Sequence, residues 1–296
     1  MTQGGPGADV TSGTWLFGLP SCGGPAPLVA FDVTGTSPVT SRFTGMAATP
    51  DGKGYWLVQA GGGVFAYGDA PYLGSLPGLG VTPAAPITGI TPTPDGKGYW
   101  LVGADGGVFA FGDAGYFGSL DVPGFGPLGV ITGIAPTPKG KGYWLVGADG
   151  GVFAFGDATY EGNGLDGVPK VGILPTLDGN GYLLPTATGI EPSTAGDASL
   201  PQQGPMALTT LLSGAAGTPD GKGYWQVGTD GGVFAFGGAN YLGSLPAEGI
   251  VPAAPVVGIA HALDGNGYWL VGADGGVFAF GDAGYLGSAG GSGLPW

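Results

Sequence analysis

The chain has 296 residues, enough to bury a sizeable core, and its 21 acidic against seven basic residues give a net charge of −14, which argues against nucleic acid and anionic membranes as partners. Gly (69) and Pro (27) make up about a third of the residues, yet 43% are hydrophobic, 11% aromatic and only 9% charged, the reverse of a disordered composition. The single cysteine, Cys22, excludes an intramolecular disulfide and a cysteine metal cluster, and Pro and Gly cut every apolar stretch well short of a membrane span. A folded, soluble protein is expected.

Residues 1–12 read as an amino-terminal tail, with neither a basic region nor an apolar stretch of signal-peptide length. From residue 13 one phrase recurs. The stretch DGKGYWLVGADGGVFAFGDA at 95–114 returns at 264–283 with one change, Asn266 for Lys97. Aligned on the aromatic core, the repeats centre on Trp15, Trp56, Trp100, Trp144, Leu183, Trp225 and Trp269, spaced by 41, 44, 44, 39, 42 and 44 residues. Seven units are predicted, near 13–43, 44–86, 87–130, 131–169, 170–210, 211–254 and 255–296.

Within a full unit, ITGITPT at 87–93 reads as a first strand that DGKG turns back. YWLVG at 99–103 is rich in β-formers, ADGG supplies a hairpin turn with Gly where positive φ is needed, and VFAFG at 108–112 returns. AGYFGSL at 114–120 is a candidate fourth strand. Helix signals are nearly absent, because Gly or Pro interrupts almost every window of three turns. Three to four short strands per unit of this length predict an all-β fold, a seven-bladed β-propeller in one domain over 13–296. An elongated β-solenoid is the alternative. The apolar YWLV run suits a sheet covered on both faces by neighbours, and stacking is obligatory because one unit cannot offset the entropy of ordering itself.

Two units depart from the phrase. The first has an insertion around Cys22 and no clear first strand, which leaves ring closure open. In the unit near 170–210, Leu183 replaces Trp, Pro185 interrupts the strand and GIEPSTAGDAS replaces GGVFAFGDA; a proline there predicts an edge or a bulge.

The TPDGKGYWLV element at 49–58, 93–102 and 218–227 resembles the strand-turn-strand of YVTN-type and related bacterial propellers, and the longer phrase with DGGVFAFGDA is similar to repeats of actinobacterial extracellular proteins. Its PDG-aromatic turn also resembles that of tachylectin-type propeller lectins. The resemblance implies a propeller that acts outside the cell.

Reactive chemistry is sparse. The only histidine, His261, sits in the strand-like GIAHALDG and reads as structural, and one His with one Cys cannot build a nitrogen- or sulfur-ligated metal site. The aspartates recur instead, at 51, 95, 178, 220 and 264 in the first turn, 105, 149, 230 and 274 in the hairpin, and 69, 113, 157, 197 and 282 in GDA or its equivalent. Such repetition argues for turn chemistry rather than an acid/base pair, which needs two unlike environments; calcium at the GDA acids is the alternative. The repeated Trp side chains are expected in the inter-blade core rather than as sugar platforms. Tyr72, Tyr116, Tyr160, Tyr241 and Tyr285, which follow the GDA turn among small residues, are the candidate contact residues. No cofactor is expected.

The composition and the resemblance together predict a non-enzymatic structural or protein-interaction propeller, extracellular or part of a virion, such as a phage tail or capsid decoration protein of an actinobacterial system. Its partners would be proteins of a larger assembly or surface glycans. The alternatives are a multivalent glycan-binding lectin and, last, a propeller hydrolase.

Overall fold

The computed structural model describes residues 42–120, 129–188, 193–198 and 210–290, all within one compact unit, Thr40–Trp296. These residues form six three-stranded antiparallel sheets, each built from strands consecutive in the chain. The first holds β1 (Phe43–Ala48), β2 (Gly54–Gln59) and β3 (Val64–Gly68); the second β4 (Ile87–Pro92), β5 (Gly98–Gly103) and β6 (Val108–Gly112). The third holds β7 (Ile131–Pro136), β8 (Gly142–Gly147) and β9 (Val152–Gly156); the fourth β10 (Leu174–Pro175), β11 (Gly181–Leu184) and β12 (Ser193–Gly196). The fifth holds β13 (Leu212–Gly217), β14 (Gly223–Gly228) and β15 (Val233–Gly237); the sixth β16 (Val256–His261), β17 (Gly267–Gly272) and β18 (Val277–Gly281). Among the described residues the only helical segment is a 3₁₀ turn at Pro77–Leu79, and no helix is long and apolar enough to cross a membrane.

The first strands line up around an axis. β4 packs between β1 and β7, β13 packs beside β10 and β16, and β16 packs against β1. The third and fourth sheets share a buried cluster that includes Ala135, Trp144, Ile173 and Tyr182. The ring is therefore a closed β-propeller, and the solenoid is excluded. Among the described residues the ring holds six blades, where the repeat count predicts seven. The expected first unit near 13–43 lies outside the described residues apart from Arg42 and Phe43, and Phe43 opens β1. The expected tail at 1–12 lies outside them as well.

The recurring phrase is the blade's packing code. Every residue of β5, β8, β14 and β17 is buried, because both faces of these central strands meet a neighbouring blade. The Trp of each blade lies against the Tyr of the next: Trp56 on Tyr99 and Trp100 on Tyr143 at 5.7 Å between ring centroids, Trp144 on Tyr182 at 6.0 Å, and Trp225 on Tyr268 at 5.7 Å. Trp269 on Tyr55, at 5.4 Å, joins the sixth blade to the first. Such pairs contribute about 0.5–1.5 kcal/mol each beyond the area they bury. The first turn adds a second contact at the seam. Gly52 has φ +67°, and a Cβ there would meet the Leu263 backbone nitrogen at 2.6 Å, so only glycine both turns the chain and admits the neighbouring blade.

The fourth blade is the exception. Its first strand is two residues long, and β11 ends at Leu184 because Pro185 follows; the ladder resumes beyond the proline at a bridge between Lys170 and Thr186. Pro185 thus follows a central strand rather than an edge, and the register shift there recurs at the same place in the other five blades, which carry Val in place of Pro185. Where Leu183 replaces Trp, the described apolar cluster toward the fifth blade shrinks to Leu183, Tyr224 and Phe236 with Leu174 and Phe234 beside them. Tyr224 and Phe236 stack at 4.6 Å and 17°, whereas the equivalent pair Tyr99 and Phe111 is tilted at 38°.

Candidate functional site

The segment after the third strand is not a fourth strand; 114–119 has no strand pairing. It runs back along the blade's outer edge and is pinned at its far end, where Leu120 N–H donates to the Gly106 carbonyl at 3.0 Å. Within it, the candidate tyrosines are clamped on both sides. The carbonyl just before each accepts the blade's own Trp Nε1–H: Pro71, Gly115, Thr159, Asn240 and Gly284, at 2.7–2.8 Å. The carbonyl two residues after each accepts the next blade's Tyr hydroxyl: Gly74, Gly118, Gly162, Gly243 and Gly287, at 2.5–2.6 Å. Between these anchors Tyr72, Tyr116, Tyr160, Tyr241 and Tyr285 remain 58, 62, 53, 54 and 40% exposed. Four of the hydroxyls are steered by a serine three residues on, Ser75, Ser119, Ser244 and Ser288, at 3.0–3.1 Å. The rim thus carries five rigidly mounted aromatic side chains. In sequence register the fourth blade has Leu200 in this place, outside the described residues.

The repeated Trp side chains are not platforms. Trp56, Trp100, Trp144, Trp225 and Trp269 are 0–1% exposed, so no sugar can stack on them.

The aspartates serve the turns. In the hairpins, Asp105, Asp149, Asp230 and Asp274 accept the N–H two residues on, at 2.9–3.0 Å. In the first turns, Asp51, Asp95, Asp178 and Asp220 each accept a threonine hydroxyl at 2.7–2.9 Å. Of the GDA acids, Asp157 accepts Thr137 Oγ1–H at 2.7 Å. Two turns bring a pair of acids together. The Thr49 hydroxyl holds the Asp51 carboxyl below the usual carboxylate range, while partial desolvation and the facing Asp51 push Asp69 up. Asp264 and Asp282 repeat this, with the Asn266 N–H lowering the first and desolvation raising the second. Among the described residues no three His, Cys, Asp or Glu side chains gather to hold a metal ion.

His261 ends β16 and lines an axial cavity of about 320 Å³, whose other walls come from the turn-side ends of β1, β4 and β13. Its Nδ1 lies 2.9 Å from the Ala262 carbonyl oxygen.

One constellation was not recognised in the sequence. Lys170 takes the place that Ile87 and Ile131 hold in the second and third blades, yet it is 1% exposed. Its ammonium donates to both Asp166 oxygens, at 2.8 and 2.7 Å, and to Ser193 Oγ at 2.8 Å, and the Ser193 hydroxyl donates to Asp166 at 2.6 Å. Burial pushes the Asp166 carboxyl up, but the hydrogen bonds from Lys170 and Ser193 outweigh it and hold the group below its ordinary value. The ammonium is fully committed to its partners, which suits an internal clamp rather than a base for Ser193. The signal was a lysine written into the otherwise apolar first-strand position of the one unit that also loses its Trp.

No protein-family model matches the chain, and no curated protein does. Among solved structures, the β-propeller domain of Myceliophteria thermophila Cps50 (Swd1) is similar with a TM-score of 0.49 at 13% identity, over 78% of this chain and 80% of that one.

Proposed function

We propose that this chain is a non-catalytic interaction propeller that works outside the cell, in a larger assembly such as a virion or on a surface, and that it contacts its partner through the rim tyrosines. One observation carries the reading. Tyr72, Tyr116, Tyr160, Tyr241 and Tyr285 are exposed on backbone fixed from both sides by Trp and Tyr hydrogen bonds, so they present large contact area with little left to order on binding. Exposed apolar side chains at Leu79, Leu165 and Val251 lie in the connections that follow Tyr72, Tyr160 and Tyr241 and extend an apolar contact surface. The acids work in turns and Lys170 is internally paired, which supports a non-catalytic role. The likeness of the repeat to actinobacterial extracellular proteins supports the location.

Isolating the native particle or complex and replacing the five tyrosines with serine, singly and together, tests this. The combined variant should keep its circular dichroism and melting temperature but lose co-sedimentation with the particle; undiminished co-sedimentation would sink the reading. Five equivalent rim sites also suit a repeated glycan ligand, and a glycan array with several equivalent binding events per chain would move the assignment to a multivalent lectin.

A further inference from the structure

The two ends of the blades carry different surfaces. At one end each first turn leans on a neighbour's turn, as Gly96 does on Pro50 and Gly52 on Leu263. At the other, the first residue of each ladder donates its N–H to the hairpin of the preceding blade: Ile87 to Ala60, Ile131 to Ala104, Lys170 to Ala148, Leu212 to Ala187, Val256 to Thr229 and Phe43 to Ala273. The connections between blades belong to this hairpin end. Those after the first, third and fifth blades start from Leu76, Gly164 and Leu245, whose N–H groups donate to the hairpin glycines Gly62, Gly150 and Gly231, and they finish at Ile87, Lys170 and Val256, bonded to the same hairpins.

Apolar exposure and charge are divided between the two ends. Leu79, Val81, Leu165 and Val251 are exposed in those three connections, Val251 by 91%, and the exposed Leu211 precedes the fifth blade's first strand. The turn end exposes Leu177 and Leu263, but each already rests on a neighbouring glycine, Gly221 or Gly52. Lys53, Lys97, Lys139, Lys141 and Lys222 all stand in first turns, and the buried Lys170 is paired with Asp166, so Arg42 is the one base left at the hairpin end. Against it stand the exposed Glu248 and the hairpin acids Asp105, Asp149, Asp230 and Asp274. In each hairpin Oδ1 caps the turn, and Oδ2 has no partner among the described residues. Asp149 and Asp230 sit in the very hairpins to which the Leu165 and Val251 connections are tied.

We propose that the hairpin end is a docking face for a protein surface that is both basic and apolar. This rests on the reading of the chain as an interaction propeller and names the partner's chemistry. Aliphatic side chains held out on short, anchored connections favour apolar contact, and the free carboxylate oxygens beside them pair with lysine or arginine of the partner. An acidic partner is repelled. So is a second copy of this chain: its hairpin end would bring acid to acid, and at its turn end the aspartates of the first turns and those after the third strands outnumber the lysines.

Fluorescent peptides probe the face on the full chain by anisotropy: one of repeated Lys-Leu-Ala-Lys units, and its Lys-Ser-Ala-Lys and Glu-Leu-Ala-Glu counterparts, which remove the apolar or the basic half of the chemistry. The first should bind at least about tenfold more tightly than either counterpart, and its affinity should fall as salt screens the carboxylates. Replacing Leu79, Leu165 and Val251 together with serine should weaken it at least about tenfold. Asp105→Asn, Asp149→Asn, Asp230→Asn and Asp274→Asn combined, which keep the capping oxygen, should weaken it and flatten its salt dependence, whereas Asp51→Asn with Asp95→Asn at the turn end should change neither. Equal affinity for the serine counterpart, or hairpin-end variants that bind like the parent, overturns the proposal. The comparison of peptides needs only the unaltered chain, so it decides even if a variant does not fold. The five-tyrosine variant should still take up the Lys-Leu-Ala-Lys peptide, so failure of the rim tyrosines in co-sedimentation and failure of this face are read separately; loss of uptake there would put the peptide on the rim and overturn the proposal as well.

Discussion

The Tyr55 hydroxyl donates to the Gly287 carbonyl at 2.5 Å across 232 positions of the chain. Tyr99 makes the same bond to Gly74, and Tyr268 to Gly243, across only 25. The last interface of the ring is thus built from the same parts as the others, with Trp269 on Tyr55 and Leu263 over Gly52 completing it. Closure needs no special latch, because a repeat whose two faces fit each other fits itself once the rotation comes full circle.

Tyr55→Phe and Tyr99→Phe are therefore expected to destabilise by similar amounts, about 1–2 kcal/mol each, from a lost hydrogen bond and an abandoned carbonyl. Denaturant titration of the two variants measures this. A silent Tyr55→Phe beside a costly Tyr99→Phe would mean that the ring is open in solution.

The buried tyrosines also set an alkaline limit. Burial pushes the hydroxyls of Tyr99, Tyr143 and Tyr268 up to about 12, and that of Tyr55 further still, from the ordinary 10. A folded value above the unfolded one gives stability that is complete below pH 10 and falls as pH rises from 10 through the folded values. Ultraviolet phenolate absorbance should rise in two stages, and the later stage should coincide with loss of the folded circular dichroism signal. A single rise near 10 with the fold intact would contradict the burial.

At the weak seam, restoring the repeat should not restore stability. Leu183→Trp adds a ring where Tyr224 and Phe236 have already collapsed into a stack at 4.6 Å, and overpacking of this kind costs about 1–3 kcal/mol. Thermal unfolding checks the sign; a higher melting temperature would mean that the two rings tilt back to the geometry of the other blades.

The clamp in the fourth blade predicts an asymmetry. Asp166→Asn leaves the buried Lys170 ammonium without a counter-charge, an error of up to about 3–5 kcal/mol, reduced here because the Asp166 side chain is 43% exposed to screening water. Lys170→Met removes the buried charge and leaves Asp166 able to hydrate, so it should be nearly neutral. Because the Asp166 carboxyl is held below its ordinary 3.8, its contribution is complete above that pH and is lost as pH falls through the folded value. Acid unfolding curves should show Lys170→Met flatter than the parent below pH 4, and parallel curves would deny the linkage.

The strand-turn-strand of each blade was legible in the sequence because its causes are local: Asp-Gly turns, β-formers between them, and a return every 39–44 residues. Burial of the Trp side chains and exposure of the tyrosines followed from their neighbours in the chain. The repeat count predicts seven blades and the described residues hold six, but closure depends on the angle between blades, which no single unit specifies. The clamp at Lys170 was not legible there, because Asp166 and Ser193 reach it from a loop and from another strand 27 residues apart. The phrase repeated along the chain determined the blade; only the ring decided which of its exceptions face one another, because residues remote in sequence become neighbours through closure alone.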